Sequence, residues 1–383
     1  MTEKPRTDEQ ILDAVEKAAR SLRRQEVMLA IASFVVGLGY LIVMLRGLSI
    51  GLRDLVSSPT RGQWVTVGWY LFLFTMLYHV AHFPVAFLRG YVVERRFRLS
   101  KQRFRRWMWA QAKKYLVSAV LVVFAGSLLY YFLRRFDRAW WLLAWVGYVV
   151  FALVINRFGG RILLPIFYKR GELADDDLKT RLEALVTRAG FQVESVKRII
   201  LDQDTRRANA AVLGLGKSKE ILVSDTLLAV LAPGEIEAVV AHELGHLKRR
   251  HSELLFAAAM FISFVGFVLA AGVLYMSVES LGLSGVSDVA GFPLIVLVFT
   301  GLFFIVNPIV NYISRQMEFA ADAYAAAFTG EAPALASALV KLAATNLAEK
   351  DHPWLYEVLF SAHPSPAKRV ARLELASKAS DKA

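Results

Sequence analysis

The 383-residue sequence has no cysteine and only seven histidines. The first absence excludes disulfides, and it leaves His and carboxylate side chains as the ligands for any zinc site. Acid is scarce relative to base: 33 Asp and Glu stand against 46 Lys and Arg, for a net charge of +13. Such an excess can mark a nucleic-acid partner. Here the bases flank long apolar runs, which is the placement of the positive-inside rule, so no nucleic acid is expected. Internal repeats and low-complexity segments are missing as well. No cleavable signal peptide is expected, because the polar, helix-like segment from Thr7 to Arg24 is too long and too charged for a signal n-region.

What the chain does have is apolar length. Hydrophobic residues make up 56% of it, more than an ordinary soluble protein carries. Six stretches approach membrane-spanning length, at about 27–45, 63–88, 116–133, 139–158, 253–278 and 289–312. The third is short enough to call for tilt or local thinning of the bilayer. Two polar stretches interrupt the series. One, at about 89–115, contains "RGYVVERRFRLSKQRFRRWMWAQAKK"; the other, at about 159–252, has the composition of a soluble domain. A soluble tail follows residue 312. The loop "VESLGLSGVS" at 279–288 has no Lys or Arg, whereas the N-terminal segment and 89–115 are dense in both. Alternation over six spans then places both termini, the basic loop and the 159–252 domain on the cytoplasmic side of a multi-pass protein.

The polar domain mixes helix and strand. "DDDLKTRLEALVTRAG" reads as an amphipathic helix with acids in its first turn and a Gly stop. "VKRIILD", "ANAAVLGLG" and "KEILVSD" read as short strands, and "SDTLLAVL" as a short helix. Pro233 suits the first position of a new helix, with Glu235 and Glu237 in its first turns.

That helix carries His242, Glu243 and His246 as H-E-x-x-H. Positions i and i+4 share a helix face, so both imidazoles can meet one tetrahedral ion. Glu243 lies beside them, placed to take a proton from water on the metal. A third ligand is needed. His251 follows His246 by five residues, about 140° round a continuous helix, which aims it away; it reads as an interfacial polar residue. Glu318, with Asp322 one turn later on the same face, is the better source, as a ligand carboxylate followed by an acceptor for a His N–H. His246 precedes the fifth span by about seven residues and Glu318 follows the sixth by about six, so both stand roughly 9–12 Å beyond the hydrocarbon. The metal would join the ends of a membrane hairpin.

The ordered set of segments resembles the integral-membrane zinc metallopeptidases that include the type I CAAX prenyl proteases and the bacterial heat-shock membrane proteases. The likeness is closer to the CAAX prenyl protease branch. It is carried by "FLRGYVVERRFRLSKQ", "LLPIFYKRGELADDDLKTRLEALVTRAGF", "RRANAAVLGLGKSKEILVSDTLL", "VVAHELGH", "SRQMEFAADAYA" and "SAHPSPAKRVARL", which cover most of the chain from about residue 85. The resemblance implies one zinc ion per chain held by His242, His246 and Glu318, with Glu243 as general base and Asp322 behind the ligands. It implies that Asn209 and Ala210 lie on a strand edge that pairs with substrate. It implies that His363 and Arg369 of "HPSPAKR" reach the site, where a donor can stabilise the oxyanion. On the residues alone, His363 also reads as a surface loop residue and Arg369 as a helix-face charge.

Eukaryotic members of that branch carry seven spans around a water-filled chamber, against six here. His79 and His82 inside the second span suit a chamber lining or hydrogen bonds between helices, and both readings stay open. Asn307 and Asn311 read as interhelical partners. The expected fold is mainly α and polytopic, with a zincin-like α+β metallopeptidase domain split by the hairpin. The division is 1–158 for the membrane domain and 159–383 for the peptidase. The implied partners are the bilayer and a peptide or protein substrate, prenylated or membrane-associated. Quality control of membrane proteins and a non-catalytic metal-dependent sensor or scaffold are the alternatives. The intact Glu243 speaks against the sensor, and the uneven spacing of the spans speaks against a transporter.

Overall fold

The structure, a computed structural model, describes residues 8–60, 62–136, 138–201, 204–213 and 218–380. The expected leader begins at Asp8 there. Thr7, Asp202 of "VKRIILD" and Gly214–Gly216 of "ANAAVLGLG" lie outside the described residues. Helix α1 (Asp8–Val43) passes through a π-turn at Met44–Leu48 into α2 (Ser49–Val56). Helix α3 (Gln63–Phe87) does the same through Leu88–Val93 into α4 (Glu94–Arg96). Helices α5 (Phe104–Arg135) and α6 (Trp140–Phe167) complete the N-terminal half. The third apolar stretch is therefore not short. It belongs to a 32-residue helix whose first turns, residues 104–115, carry Arg105, Arg106, Lys113 and Lys114. The 89–115 segment is mostly two helix ends, not a loop, because its Arg, Lys, Gln, Met and Ala residues are good helix formers.

The chain then builds β1 (Lys169–Glu172), α7 (Asp176–Arg188), β2 (Gln192–Ile200), β3 (Ala210–Leu213), β4 (Ser218–Ser224), α8 (Asp225–Leu228) and α9 (Pro233–Lys248). The strands form one sheet in the order β1-β2-β4-β3. Strands β2 and β4 are parallel, and the two outer strands are antiparallel to their neighbours. Strand β1 was not foreseen, since "KRGE" has no apolar alternation; its backbone simply pairs along β2. Helix α7 starts where Asp175 accepts from the Leu178 N–H at 3.0 Å. It buries Leu178, Leu182, Leu185 and Val186, the stripe its periodicity predicts.

Helix α10 (His251–Ser277) and α11 (Phe292–Thr329) form the hairpin, followed by α12 (Ala332–Thr345), α13 (Trp354–Phe360) and α14 (Pro366–Ser380). Among the described residues, six helical segments are long and apolar enough to cross a membrane, four before the sheet and two in the hairpin. Two cores result. One, around Met44, Tyr70, Tyr130, Trp140 and Leu274, ties the membrane helices together. The other, around Leu182, Ile221, Leu227, Ile236 and Leu244, joins the sheet to α7, α9 and the end of α11.

Apolar burial cannot drive helices together in lipid, so hydrogen bonds mark the contacts. Tyr40 donates to Phe74 O at 2.7 Å and Trp145 to Met260 O at 3.2 Å. His82 joins α3 to α1 through Nε2 at 3.0 Å from Ser33 O. His79 instead lines a cavity of about 450 Å³ between α1, α3, α5 and α11, and stacks on Tyr115 with ring centres 4.2 Å apart. Each of the two histidines thus takes one of the two readings. Among the described residues, Asn307 and Asn311 bond no other membrane-spanning helix. Both donate to Leu359 O, at 3.1 and 3.2 Å, and so fasten α13 to α11.

Candidate metal centre

Helix α9 begins at Pro233, which needs no N–H partner there, and the Glu235 carboxylate accepts from the Ala232 N–H at 2.8 Å. It ends at Lys248. Arg250 adopts the left-handed conformation, φ 54°, and α10 starts anew at His251. The 140° argument against His251 therefore fails, because it assumed one continuous helix. His251 is buried, and its Nδ1 lies 3.0 Å from His246 Nδ1. The signal was available in the sequence as three consecutive bases, Lys248 to Arg250, at a helix C-terminus.

The Nε2 atoms of His242 and His246 are 3.1 Å apart. Glu318 brings Oε2 to 3.6 Å from the first and Oε1 to 3.4 Å from the second. Ligand atoms held at 2.0–2.1 Å around a tetrahedral ion stand roughly 3.3 Å from one another. The three side chains therefore fit a metal without rearrangement. His, His and Glu are also the donor set that leaves a fourth position open.

Each imidazole has an acceptor for its other nitrogen. Asp322 Oδ1 is 2.8 Å from His242 Nδ1, and His251 serves His246. Arg369 of α14 grips Asp322 in a fork, at 2.8 and 2.6 Å, and sets a further nitrogen 3.2 Å from Glu318. His363 Nδ1 lies 3.1 Å from Glu318 Oε1, and this hydrogen bond raises the pKa of the imidazole.

Two features bring α11 to α9. A Cβ on Gly245 would stand 3.0 Å from Ala321 Cα, so any other residue would push the two backbones a few tenths of an ångström apart. Along α11, Asn307, Asn311, Arg315, Glu318 and Asp322 form one row at helical spacing. The first two hold α13, and Arg315 donates to Glu357 O and Ser361 O, which fixes the segment that leads to His363. Gly245, Arg315 and His251 were not singled out by the sequence as parts of the site.

Glu243 is half-buried and faces a cavity of about 380 Å³ that it shares with His242, Glu318, His363 and Arg369. Burial pushes its carboxyl pKa upward. Ala208, Asn209 and Ala210 line the same cavity. Strand β3 is the edge of the sheet. Asn209 uses its backbone toward β4, with its C=O accepting from Ser224 N–H at 3.0 Å and its N–H donating to Ser224 Oγ at 2.9 Å. By the alternation of an antiparallel pair, the N–H and C=O of Ala210 point to the open edge. The structure thus brings together all the residues that the sequence nominated.

Six apolar helices among the described residues and a largely buried His–His–Glu cluster beside a carboxylate define a class: a multi-pass membrane protein with a metal centre of the peptidase type. A family model described as peptidase family M48 matches residues 172–377, and one described as the CAAX prenyl protease N-terminal region with five membrane helices matches residues 5–169. The chain belongs to peptidase family M48 and is a metal-dependent membrane protease. Among the described residues, four rather than five long apolar helices occupy its N-terminal half. The chain is 25% identical to the uncharacterized metalloprotease YhfN of Bacillus subtilis over 339 residues, covering 88% of this chain and 79% of that one. It is 27% identical over 334 residues to CAAX prenyl protease 1 of Saccharomyces cerevisiae, covering 81% and 72%. The crystal structure of S. mikatae Ste24p has the same fold, with a TM-score of 0.84 at 24% identity over 97% of this chain and 92% of that one.

Proposed function

We propose that the chain is a zinc endopeptidase acting on extended peptides at the cytoplasmic face of a membrane. The observation that carries this is the convergence on one cavity of three ligand atoms, a carboxylate free of the ligand set, and an open strand edge. A zinc ion bound by His242, His246 and Glu318 supplies Lewis-acid polarisation of the scissile carbonyl and a lowered pKa for the attacking water. Ala210 offers its backbone to the substrate as an added strand, and the Asn209 side chain borders that strand. Glu243 accepts the proton of the attacking water and returns it to the leaving amine; its raised pKa suits both transfers. His363 stands at the mouth of the cavity as donor to the carbonyl oxygen as charge develops there. Arg369 acts mainly through Asp322, which it holds against His242. Relatives named CAAX prenyl protease 1 support a peptide substrate of the CAAX type, prenylated or otherwise membrane-associated.

Glu243→Gln removes the base and leaves the ligands. Turnover of a prenylated CAAX peptide should fall by about a hundredfold or more, with metal content unchanged. Cleavage at the wild-type rate overturns the mechanism, and equal cleavage of the unprenylated peptide overturns the substrate class. The cytoplasmic assignment rests on the Lys and Arg distribution. A Cys placed at Ser284 should react with an impermeant maleimide outside intact cells, whereas one at Gln102 should not. The opposite pattern reverses the orientation.

A further inference from the structure

The membrane half carries a polar cavity of about 750 Å³ on the face away from the metal centre, where α2, α3 and α5 meet the hairpin loop. Arg53, Arg134, Thr66, Ser287 and Asp288 are among its lining. Asp288 is consumed within the wall. It accepts from Ser284 N–H and Oγ, both at 2.9 Å, from Ala290 N–H at 3.0 Å, and from Arg53. Arg134 is not matched in this way. It donates to the neutral Gln63 at 3.3 Å and lies over the Trp64 ring, 5.6 Å from its centre, with no acidic partner among the described residues. Among the described residues, the cavity therefore presents a cation with no acidic partner.

Directly beside it, a groove of about 710 Å³ runs down the lipid-facing side between α3 and α5. Gly68, Trp69, Phe72, Leu116, Val120 and Phe124 line it, and almost nothing polar does. Gly68 is informative. A Cβ there would meet no atom within 4 Å, so no neighbouring helix requires the missing side chain. A glycine inside a helix is destabilising, and what its smallness leaves here is open groove. Trp64 and Tyr131, with ring centres 6.1 Å apart, stand where the groove meets Arg134. Such amphipathic rings sit at headgroup depth.

A polar, cation-bearing end and a dry apolar trough, joined at headgroup depth, match one kind of molecule. We propose that this face binds a phospholipid of the leaflet remote from the metal centre. Its phosphodiester sits on Arg134 and the cavity hydroxyls, and one acyl chain lies over Gly68.

The test uses the full-length protein in non-ionic detergent, with phosphatidylglycerol, diacylglycerol of the same chains, and inorganic phosphate as separate probes. Native mass spectrometry should show one phosphatidylglycerol retained per chain, and the thermal midpoint should rise with that lipid alone. Arg134→Gln and Gly68→Leu should each weaken retention roughly tenfold, the first by removing a charge-assisted hydrogen bond and the second by filling the groove. The lipid-free midpoint of Gly68→Leu should not fall, because the added side chain enters open space. Equal retention of diacylglycerol overturns the proposal, since the phosphate is then not read. So does an equal midpoint rise with inorganic phosphate, since the chain is then not read. Retention at the wild-type level by either variant overturns it as well.

Discussion

Helix α11 has a buried acid near each end, and the two are built differently. Asp288, just before its start, is wrapped by donors of its own loop and by Arg53, so none of its charge is left over. Glu318, toward its other end, faces imidazole nitrogens and a guanidinium from α9, α14 and the His363 loop, and borders an open cavity. The contrast separates two uses of buried charge. An acid satisfied by adjacent backbone N–H groups fixes a turn. An acid whose neighbours are mostly metal-binding side chains from distant elements leaves its oxygens to converge on one point. Burial alone does not distinguish them, since both are almost fully enclosed.

Four substitutions sharpen this comparison. Glu318→Ala should have the largest effect: two protein ligands remain, and metal measured on the purified variant should drop from one per chain to nearly none. A variant that keeps its metal would put the site on α9 and His251 alone. Asp322→Ala and His251→Ala come next. Each removes the acceptor behind one imidazole, and each should weaken metal affinity or activity by about 10–100-fold. If only one of the two matters, the metal leans on a single histidine.

Asp288→Asn should have the smallest effect on function and none on metal content, with stability reduced by roughly 1–3 kcal/mol at neutral pH. Burial alone would raise this carboxyl's pKa, but the hydrogen bonds from Ser284 and Ala290 and the Arg53 charge outweigh it and hold the value low. A depressed folded pKa contributes stability above the unfolded value of about 3.9, and that contribution is lost as pH falls through the folded value. The midpoints of wild type and Asp288→Asn should therefore differ at pH 7 and converge below about pH 4. A gap that stays constant across that range would remove the charge from the account.

The sequence made parts of this legible for definite reasons. Helix α7 could be read residue by residue, because one face of it meets water and the apolar stripe shows. The six spans could be counted but not oriented about their axes, since a helix apolar all round carries no face signal. Hence Asn307 and Asn311 could be read as interhelical partners, but not that the helix they hold is α13. His242, Glu243, His246 and Glu318 were legible from spacing, and His363 and Arg369 only from the resemblance. His251 stays outside the ligand cluster, as read, but its contact with His246 was missed, because no periodicity reveals the break at Arg250 and only the run of bases from Lys248 marks it.

The close crossing at Gly245 and the break at Arg250 have a joint consequence. The distance from the two histidines to Glu318 is set where α9 touches Ala321, on the near side of the hairpin. Beyond that point α10 begins as a separate rod, whereas α11 runs unbroken from its span to Glu318. One arm of the hairpin is jointed and the other is stiff. Hydrophobic mismatch is absorbed by tilt, and here a change of slant is transmitted to the metal centre through the stiff arm, at Glu318.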